Sequence, residues 1–415
     1  MLKNNSVCDI INNYLCTGCG ACEKLCPSDA IEMKRNPAGF LLSCVDLKKC
    51  INCGKCLMGC PSEARQLSDF IGSGQGFIGF AENTKIRLKG QSGGVVTALL
   101  IYLLENNLID GAIVSRLNPK SGLPEAVCLK TADEIMQASG SVYAQTSVIK
   151  TVLENQHLRT AVVVLGCQSE SLKKIKQNFP NIKLPEYIIG LICGGNMSLS
   201  MMDTVIKKSR SSNADRASFK YRDTENTEWP GDITLKSDGK INIIPKEWRM
   251  QLKPVYECYR CVLCADKMNL SCDLVVGDPW GIEPEDAKSG YSVIISYTDK
   301  GLCLINNAKE SLNLKKSNSY DIVKGQKIDS QFINKVASAF YVSKENGYKF
   351  PYDNDEFAKP DEEKLKEMQK RLIYTRKYYS ASDIKSAKKI ASKKIRSVTQ
   401  PLKNRIYNIK KKIFN

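Results

Sequence analysis

The chain has 415 residues, eighteen cysteines, one histidine and a formal net charge of +17. Its length predicts roughly two to four domains, and its longest apolar stretch, Val95 to Leu104, falls well short of the ~20 residues a spanning helix needs. A lone His157 argues against a histidine-rich metal site or histidine acid–base catalysis. MLKNNSVCDI at the N-terminus lacks an apolar signal core, so we expect a cytoplasmic protein. From Arg371 to Asn415 fourteen Lys or Arg stand against one acid, Asp383, so this tail carries +13 and the rest of the chain +4. Such a balance predicts no nucleic-acid partner and a local surface interaction through the tail.

The N-terminal sixth of the chain carries the strongest pattern. Cys16, Cys19, Cys22 and Cys26 precede Pro27, and Cys50, Cys53, Cys56 and Cys60 precede Pro61. Both read C-x2-C-x2-C-x3-C-P, the spacing of two-cluster bacterial ferredoxins. Thiolates so spaced curl the backbone round a 4Fe–4S cubane, with Gly18, Gly20 and Gly54 permitting close approach. The fourth cysteine of each run serves the other cluster. The expected sets are Cys16, Cys19, Cys22 with Cys60, and Cys50, Cys53, Cys56 with Cys26. Tight C-x2-C spacing in a large chain favours metal over disulfides. Cys8 and Cys44 fall outside both runs and read as buried thiols.

Gly72, Gly74, Gly76 and Gly79 then read as a linker. Strands are expected at Ala112–Ser115, Ala126–Leu129, Ala161–Leu165 and Tyr187–Ile192. Helices are expected at Gly94–Glu105, Thr146–Glu154, Glu170–Gln177 and Ser198–Lys208. The alternation predicts an α/β layer with parallel strands and a site at their carboxyl ends. After Ala217 shorter strands follow, Asp232–Leu235 and Ile241–Ile244 round a Ser237-Asp238-Gly239-Lys240 turn, then Asp273–Gly277 and Tyr291–Tyr297. These read as a smaller α+β lobe. The expected divisions are a ferredoxin-like module at 1–70, a central α/β domain at 71–216, the smaller lobe at 217–360 and a basic helical tail at 361–415.

Three later features carry chemistry. Gln91-Ser92-Gly93-Gly94 opens an apolar helix, with Ser92 as N-cap and amides free to face an anion; an ordinary capped helix fits the same residues. Ser139 to Ser147 repeats small residues before a helix. Cys258, Cys261 and Cys264, with Cys272 beyond, form a metal-site element that suits zinc or a further iron–sulfur cluster. Cys128 and Cys303 lie in strand-like runs and read as core.

In their shared order KGQSGGVVTALLIYLLENNLIDGAIV, SGSVYAQTSV, VVVLGCQSESLKK, YIIGLICGGNMS, CYRCVLC and CDLVVGDPWGI resemble the family of coenzyme F420 hydrogenase/dehydrogenase beta subunits, fused here to an N-terminal ferredoxin. The resemblance covers roughly Cys16 to Gly301. It implies a flavin domain with FAD and a third 4Fe–4S cluster, exchanging electrons with coenzyme F420 or another small acceptor. Matching cysteines make Cys167, Cys193, Cys261 and Cys264 the implied third ligand set. The local set Cys258, Cys261, Cys264 and Cys272 is the alternative. Ser92, Gly93, Gly94, Gly140 and Ser141 are assigned to FAD through the resemblance. Gly166, Gly194 and Pro279 depart from the family pattern, the last two where the substrate would sit.

The implied path runs from the ferredoxin clusters through the third cluster and FAD to substrate, in either direction, because a flavin joins one-electron to two-electron chemistry. Asp278, Trp280 and Tyr143 are pocket candidates. Some bacterial relatives are linked to polysaccharide biosynthesis, which makes a sugar-linked reductase one option. A non-catalytic carrier feeding a partner reductase is the other reading, and either needs an electron donor or acceptor protein. Finally Ile384, Ala387, Ala391, Ile395, Val398, Leu402, Ile406, Ile409 and Ile413 recur at helical spacing among Lys and Arg. That basic amphipathic stripe predicts peripheral contact with an anionic membrane, or docking on protein.

Overall fold

The computed structural model describes residues 5–63, 73–209, 214, 216–282, 290–328, 330–353 and 357–397. The ferredoxin-like region has helices α1 (Cys8–Asn12), α2 (Ala21–Leu25) and α3 (Lys55–Met58) and one antiparallel pair, β1 (Ile31–Arg35) with β2 (Leu41–Val45). Beyond it come β3 (Gln75–Ala81), α4 (Thr84–Lys89), α5 (Val95–Glu105), β4 (Gly111–Leu117), β5 (Pro124–Leu129), α6 (Ala132–Gln137) and α7 (Val148–Glu154). Next are β6 (Thr160–Val164), α8 (Gly166–Asn178), β7 (Tyr187–Leu191), α9 (Ser200–Lys208), β8 (Lys220–Asp223), β9 (Asp232–Ser237) and β10 (Lys240–Ile244). The chain continues through α10 (Glu247–Tyr256), α11 (Tyr259–Val262), β11 (Leu274–Gly277), β12 (Ser292–Ser296) and α12 (Asp299–Asn307). It closes with β13 (Leu312–Ser317), α13 (Ser319–Gly325), α14 (Ser330–Glu345) and α15 (Glu362–Tyr379), followed by a helical stretch at 384–397.

Eight strands make one mixed sheet in the order β13-β3-β12-β11-β7-β6-β4-β5. Only the central four, β4, β6, β7 and β11, run parallel; every outer pairing is antiparallel. The expectation of parallel strands therefore holds for the centre alone. Alternate residues bury on opposite faces, as the period of two requires. Ala112, Ala161, Leu274 and Ile294 pack with α5 and α12, whereas Ile113 and Val162 meet α7 and α8, and Val275 and Val293 meet α13. A sheet covered on both faces explains why these strands read as nearly continuous apolar runs.

The glycines expected to form a linker do something else. Gly74, Gly76 and Gly79 flank or lie in β3, wedged between β12 and β13, and a Cβ on Gly79 would stand 1.9 Å from the Asn313 carbonyl. They read as loop because close strand approach and looseness use the same residue; Gly72 lies outside the described residues. The smaller lobe is corrected too. β11, β12 and β13 belong to the main sheet, and only β8, β9 and β10 form a sheet of their own. Its β9–β10 hairpin turns on Asp238 and Gly239, both at positive φ, as a two-residue loop requires.

Five other expectations change. Cys44 is exposed and Cys8 half-buried, not core. Cys128 is half-buried on β5, and Cys303 is exposed on helix α12 rather than buried in a strand. Ala387, Ala391 and Ile395 of the tail stripe are buried in the same core as the ferredoxin region, so this part docks on protein and is closed to a bilayer. Ile384 is exposed, and Val398, Leu402, Ile406, Ile409 and Ile413 lie outside the described residues. No helix among the described residues is long and apolar enough to cross a membrane.

Candidate metal centres and cavity

The cysteines converge in three sets. Gly18 and Gly20, both at positive φ, turn the first loop so that Cys16 and Cys19 face Cys22 on α2. Burial, then the charges of Cys16, Cys19 and Cys60, push the Cys22 thiol well above its ordinary value. Burial and the neighbouring Cys19 and Cys16 push Cys60 up to about 12. Cys26, Cys50, Cys53 and Cys56 line one small cavity instead. Burial raises the Cys56 thiol, helped by Cys26 and Cys53. Cys26 moves the other way: burial opposes it, but Ser28 and the Ala30 amide, 3.3 Å away, bring its thiol below the usual value. The fourth cysteine of each run thus crosses to the other run's group. The two sets differ in depth. The first is buried, apart from partly buried Cys60, whereas Cys53 of the second is exposed.

The third set comes from four separate places. Cys167 opens α8, Cys193 follows β7, Cys261 lies on α11 and Cys264 just beyond it. Burial, then Cys261, Cys264 and Cys193, push the Cys167 thiol well above its ordinary value. The alternative local set does not assemble. The Cys272 thiol donates to the carbonyls of Asn269 at 3.0 Å and Leu274 at 3.1 Å and packs against Gly190. Cys258 stands beside the set as a donor: its thiol is held up by its hydrogen bond to Cys261, whose own value that bond lowers to about 7. The Asn196 amide also donates to Cys261 Sγ, at 3.4 Å.

Cations gather round this third set. Lys253 Nζ donates to the Gly194 carbonyl at 2.6 Å, and Lys335 Nζ to the Cys261 carbonyl at 3.4 Å. Buried Arg260 senses Cys264 and Cys167. Lys267 is brought down to about 8, first by burial and then by Lys253 and Lys335. The spacing of the cysteines gives no sign of these residues. Among the described residues no three His, Cys, Asp or Glu side chains could hold a single metal ion. A cubane, which spreads four thiolates round an inorganic core, asks for a different arrangement.

A cavity of ≈ 250 Å³, counted as space open to the centre of a water molecule, lies at the carboxyl ends of the parallel strands. Its lining includes Ser115 in the second half of β4, and Leu165, Ile192 and Gly277, which follow or end β6, β7 and β11. This is the edge where α/β sheets bind ligands. Ser92, Gly94, Gly140 and Ser141 line it. Gly93 stands behind them, its amide donating to Ser292 Oγ at 2.9 Å. Ser92 does not cap α5: its hydroxyl bonds the Tyr291 carbonyl, and Gly94 takes the cap position at φ 74°. Cys193 of the third set also lines the cavity.

Tyr143 and Asp278 reach the cavity, whereas Trp280 is 42% exposed and packs at a tilt against Trp229, with ring centroids 4.8 Å apart. Asp278 is held in an ion pair. Arg222 grips it through two bonds of 2.7 and 2.8 Å and spends another on the Gln91 carbonyl at 2.7 Å. Burial works against the Arg222 charge, but Tyr143 and Asp278 more than restore it. Sequence reasoning missed Arg222 because its partner lies 56 residues away. One buried atom in this wall, Gln91 Oε1, has no partner among the described residues. Gly194 has open space beside it, with only Lys253 Nζ within 4 Å, at 3.7 Å. Glycines that keep one wall open, an apolar floor and an unsatisfied buried amide fit a large planar cofactor such as FAD.

Fold and thiol sets together define an oxidoreductase of the iron–sulfur type. The family signature "4Fe-4S dicluster domain" matches residues 15–64, and those of the "Coenzyme F420 hydrogenase/dehydrogenase, beta subunit" match 77–154 (N-term) and 157–321 (C terminus). The chain belongs to the family of coenzyme F420 hydrogenase/dehydrogenase beta subunits and carries a 4Fe–4S dicluster domain at its N-terminal end. It is 27% identical to the coenzyme F420-dependent sulfite reductase of Methanocaldococcus jannaschii over 74% of this chain and 48% of that protein. The chain therefore spans about half the length of that relative. It is 24% identical to the beta subunit of coenzyme F420 hydrogenase from Methanothermobacter thermautotrophicus, over 65% of this chain and 94% of that one. One solved relative, from the F420-reducing [NiFe] hydrogenase complex of Methanosarcina barkeri, shares 22% identity and a TM-score of 0.48, over 63% of this chain and 94% of that one.

Proposed function

We propose that this chain is an iron–sulfur flavoprotein that passes electrons between a partner protein and a small hydride acceptor, coenzyme F420 or a compound of like chemistry. Cys16, Cys19, Cys22 and Cys60 would hold one cubane, Cys26, Cys50, Cys53 and Cys56 the second, and Cys167, Cys193, Cys261 and Cys264 the third. The observation that carries the reading is Cys193, which belongs to the third thiol set and to the cavity wall at once. FAD bound in the cavity would supply the step between single electrons and hydride.

The residues themselves supply placement and charge. Gly94, Gly140 and Ser141 leave room along one wall. Arg222, its donors committed to Asp278 and to the Gln91 and Pro230 carbonyls, braces the cavity wall as half of a fixed ion pair. The set with exposed Cys53 suits exchange with an outside protein, and the buried first set suits relay. Lys253, Lys267, Lys335 and Arg260 surround the third set and favour its reduced, more negative state. Electrons would then run downhill from the ferredoxin region toward the cavity. Relatives named as hydrogenase subunits fit a chain that works with a protein partner.

Anaerobic mixing with reduced coenzyme F420 tests the function. Bleaching of a bound flavin followed by loss of cluster absorbance supports an enzyme acting on that coenzyme. If reduced F420 leaves both untouched while a reduced ferredoxin bleaches them, another acceptor or a carrier role replaces it.

A further inference from the structure

The wall between the first and third thiol sets is only a few side chains thick. Gln145 Nε2 donates to the Cys16 carbonyl at 3.3 Å and toward Cys258 Sγ at 3.8 Å, and Cys258 bonds Cys261. Tyr379, the last residue of α15, enters this wall. It is 4% exposed, and among the described residues its hydroxyl has no hydrogen-bond partner. Its side chain shares one buried core with Cys16 and Cys258, and among the cysteines the charges it senses, after the effect of burial, are those of Cys16, Cys258 and Cys261, in that order. Its ring is clamped, stacked on Phe40 at 4.9 Å and edge-on to Tyr14 at 5.2 Å, while Asn36 Nδ2 holds its carbonyl at 2.9 Å. A buried phenol left unsatisfied is costly, which favours a partner for it in the working protein.

The three neighbours are not equal as acceptors. Cys261 Sγ already receives the Asn196 amide and the Cys258 thiol. Cys258 is itself a donor. Among the described residues Cys16 Sγ has only Ser43 Oγ, at 3.7 Å. We infer that Tyr379 donates its hydroxyl proton to sulfur on the Cys16 side of the wall, and so acts as a positioning residue that raises the potential of the cluster held there. Hydrogen bonds to cluster sulfur stabilise the more negative reduced state. The inference rests on the reading that Cys16, Cys19, Cys22 and Cys60 hold a cubane. It gives α15, which lies beyond residue 321 where the family match ends, a part in tuning the wire.

The test uses the full chain purified without oxygen, with potentials followed by paramagnetic resonance. Tyr379→Phe keeps the ring and removes the proton. A cluster of the ferredoxin region, identified because it persists in a Cys264→Ala background, should shift to lower potential with iron content unchanged. After exchange into deuterium oxide its signal should also lose one deuteron coupling that the wild type has. Unchanged potentials and couplings with all clusters present overturn the inference alone, as does a shift confined to the third cluster. No cluster signal from the ferredoxin region of the wild type would overturn the underlying reading as well. Tyr379→Trp, which refills the site with a different donor, should restore part of the potential if Tyr379→Phe proves poorly folded.

Discussion

Gln145 Nε2 lies 3.8 Å from Cys258 Sγ, and the same nitrogen holds the Cys16 carbonyl. One amide therefore spans from the ferredoxin region to the residue beside the third thiol set. Its other atom, Oε1, accepts the Leu41 amide at 2.9 Å. Gln145→Leu strands three buried polar groups and should cost about 2 kcal/mol. Electron transfer from the ferredoxin region to the third cluster should slow as well, read by stopped-flow reduction of full-length protein with all clusters present.

The third ligand set makes a sharp distinction among neighbouring cysteines. Cys264→Ala should lose one cluster, about four irons per chain. Cys272→Ala should keep them all, because that thiol is turned to the Asn269 and Leu274 carbonyls. Iron and sulfide analysis of the two variants checks this directly.

Gly194 offers a way to close the cavity without breaking the fold. Among the described residues a Cβ there meets only Lys253 Nζ, at 3.7 Å. Gly194→Phe should leave iron content and melting behaviour unchanged while cutting flavin content or acceptor turnover by at least roughly tenfold, the size of a lost 1.4 kcal/mol contact.

The cations around the third set should be visible in its potential. Lys335→Met removes a charge whose Nζ is 3.4 Å from the Cys261 carbonyl. It should lower the third cluster's potential and leave the ferredoxin pair where it was, measured by redox titration.

Glu257 ties α15 to the same region. Burial opposes its charge, but Arg371, Lys335 and Lys253 hold its carboxyl below the usual value. A depressed carboxyl adds stability that is complete above the ~4.3 of a free glutamate and fades as pH falls through its folded value. Arg371→Ala, which leaves that carboxylate buried, should cost roughly 3 kcal/mol at neutral pH. The difference from wild type should narrow in acid, followed by urea unfolding.

Much of this was legible in the chain. The C-x2-C runs specify local loops, so spacing alone anticipates which thiols meet, crossed fourth cysteine included. Strands buried on both faces announce themselves as apolar runs, and β4, β6, β7 and β11 were found within a residue or three. What the sequence hides is pairing at long range. Nothing local at Gly76 or Gly79 says that β12 and β13 will close on either side. Nothing near Arg222 points to Asp278, or near Tyr379 to Phe40, because those contacts depend on how separate elements stack. The tail misled in part, since an apolar stripe among lysines looks the same whether it meets lipid or, as at Ala387 and Ala391, protein.

The central claim is that three thiol sets carry three cubanes leading to one organic cofactor. Iron, sulfide and flavin counting on anaerobically purified full-length protein, with Mössbauer spectra to fix the cluster type, tests it most directly. The account predicts about twelve irons, as many sulfides and one flavin per chain. About eight irons with one zinc, and no flavin, would contradict it.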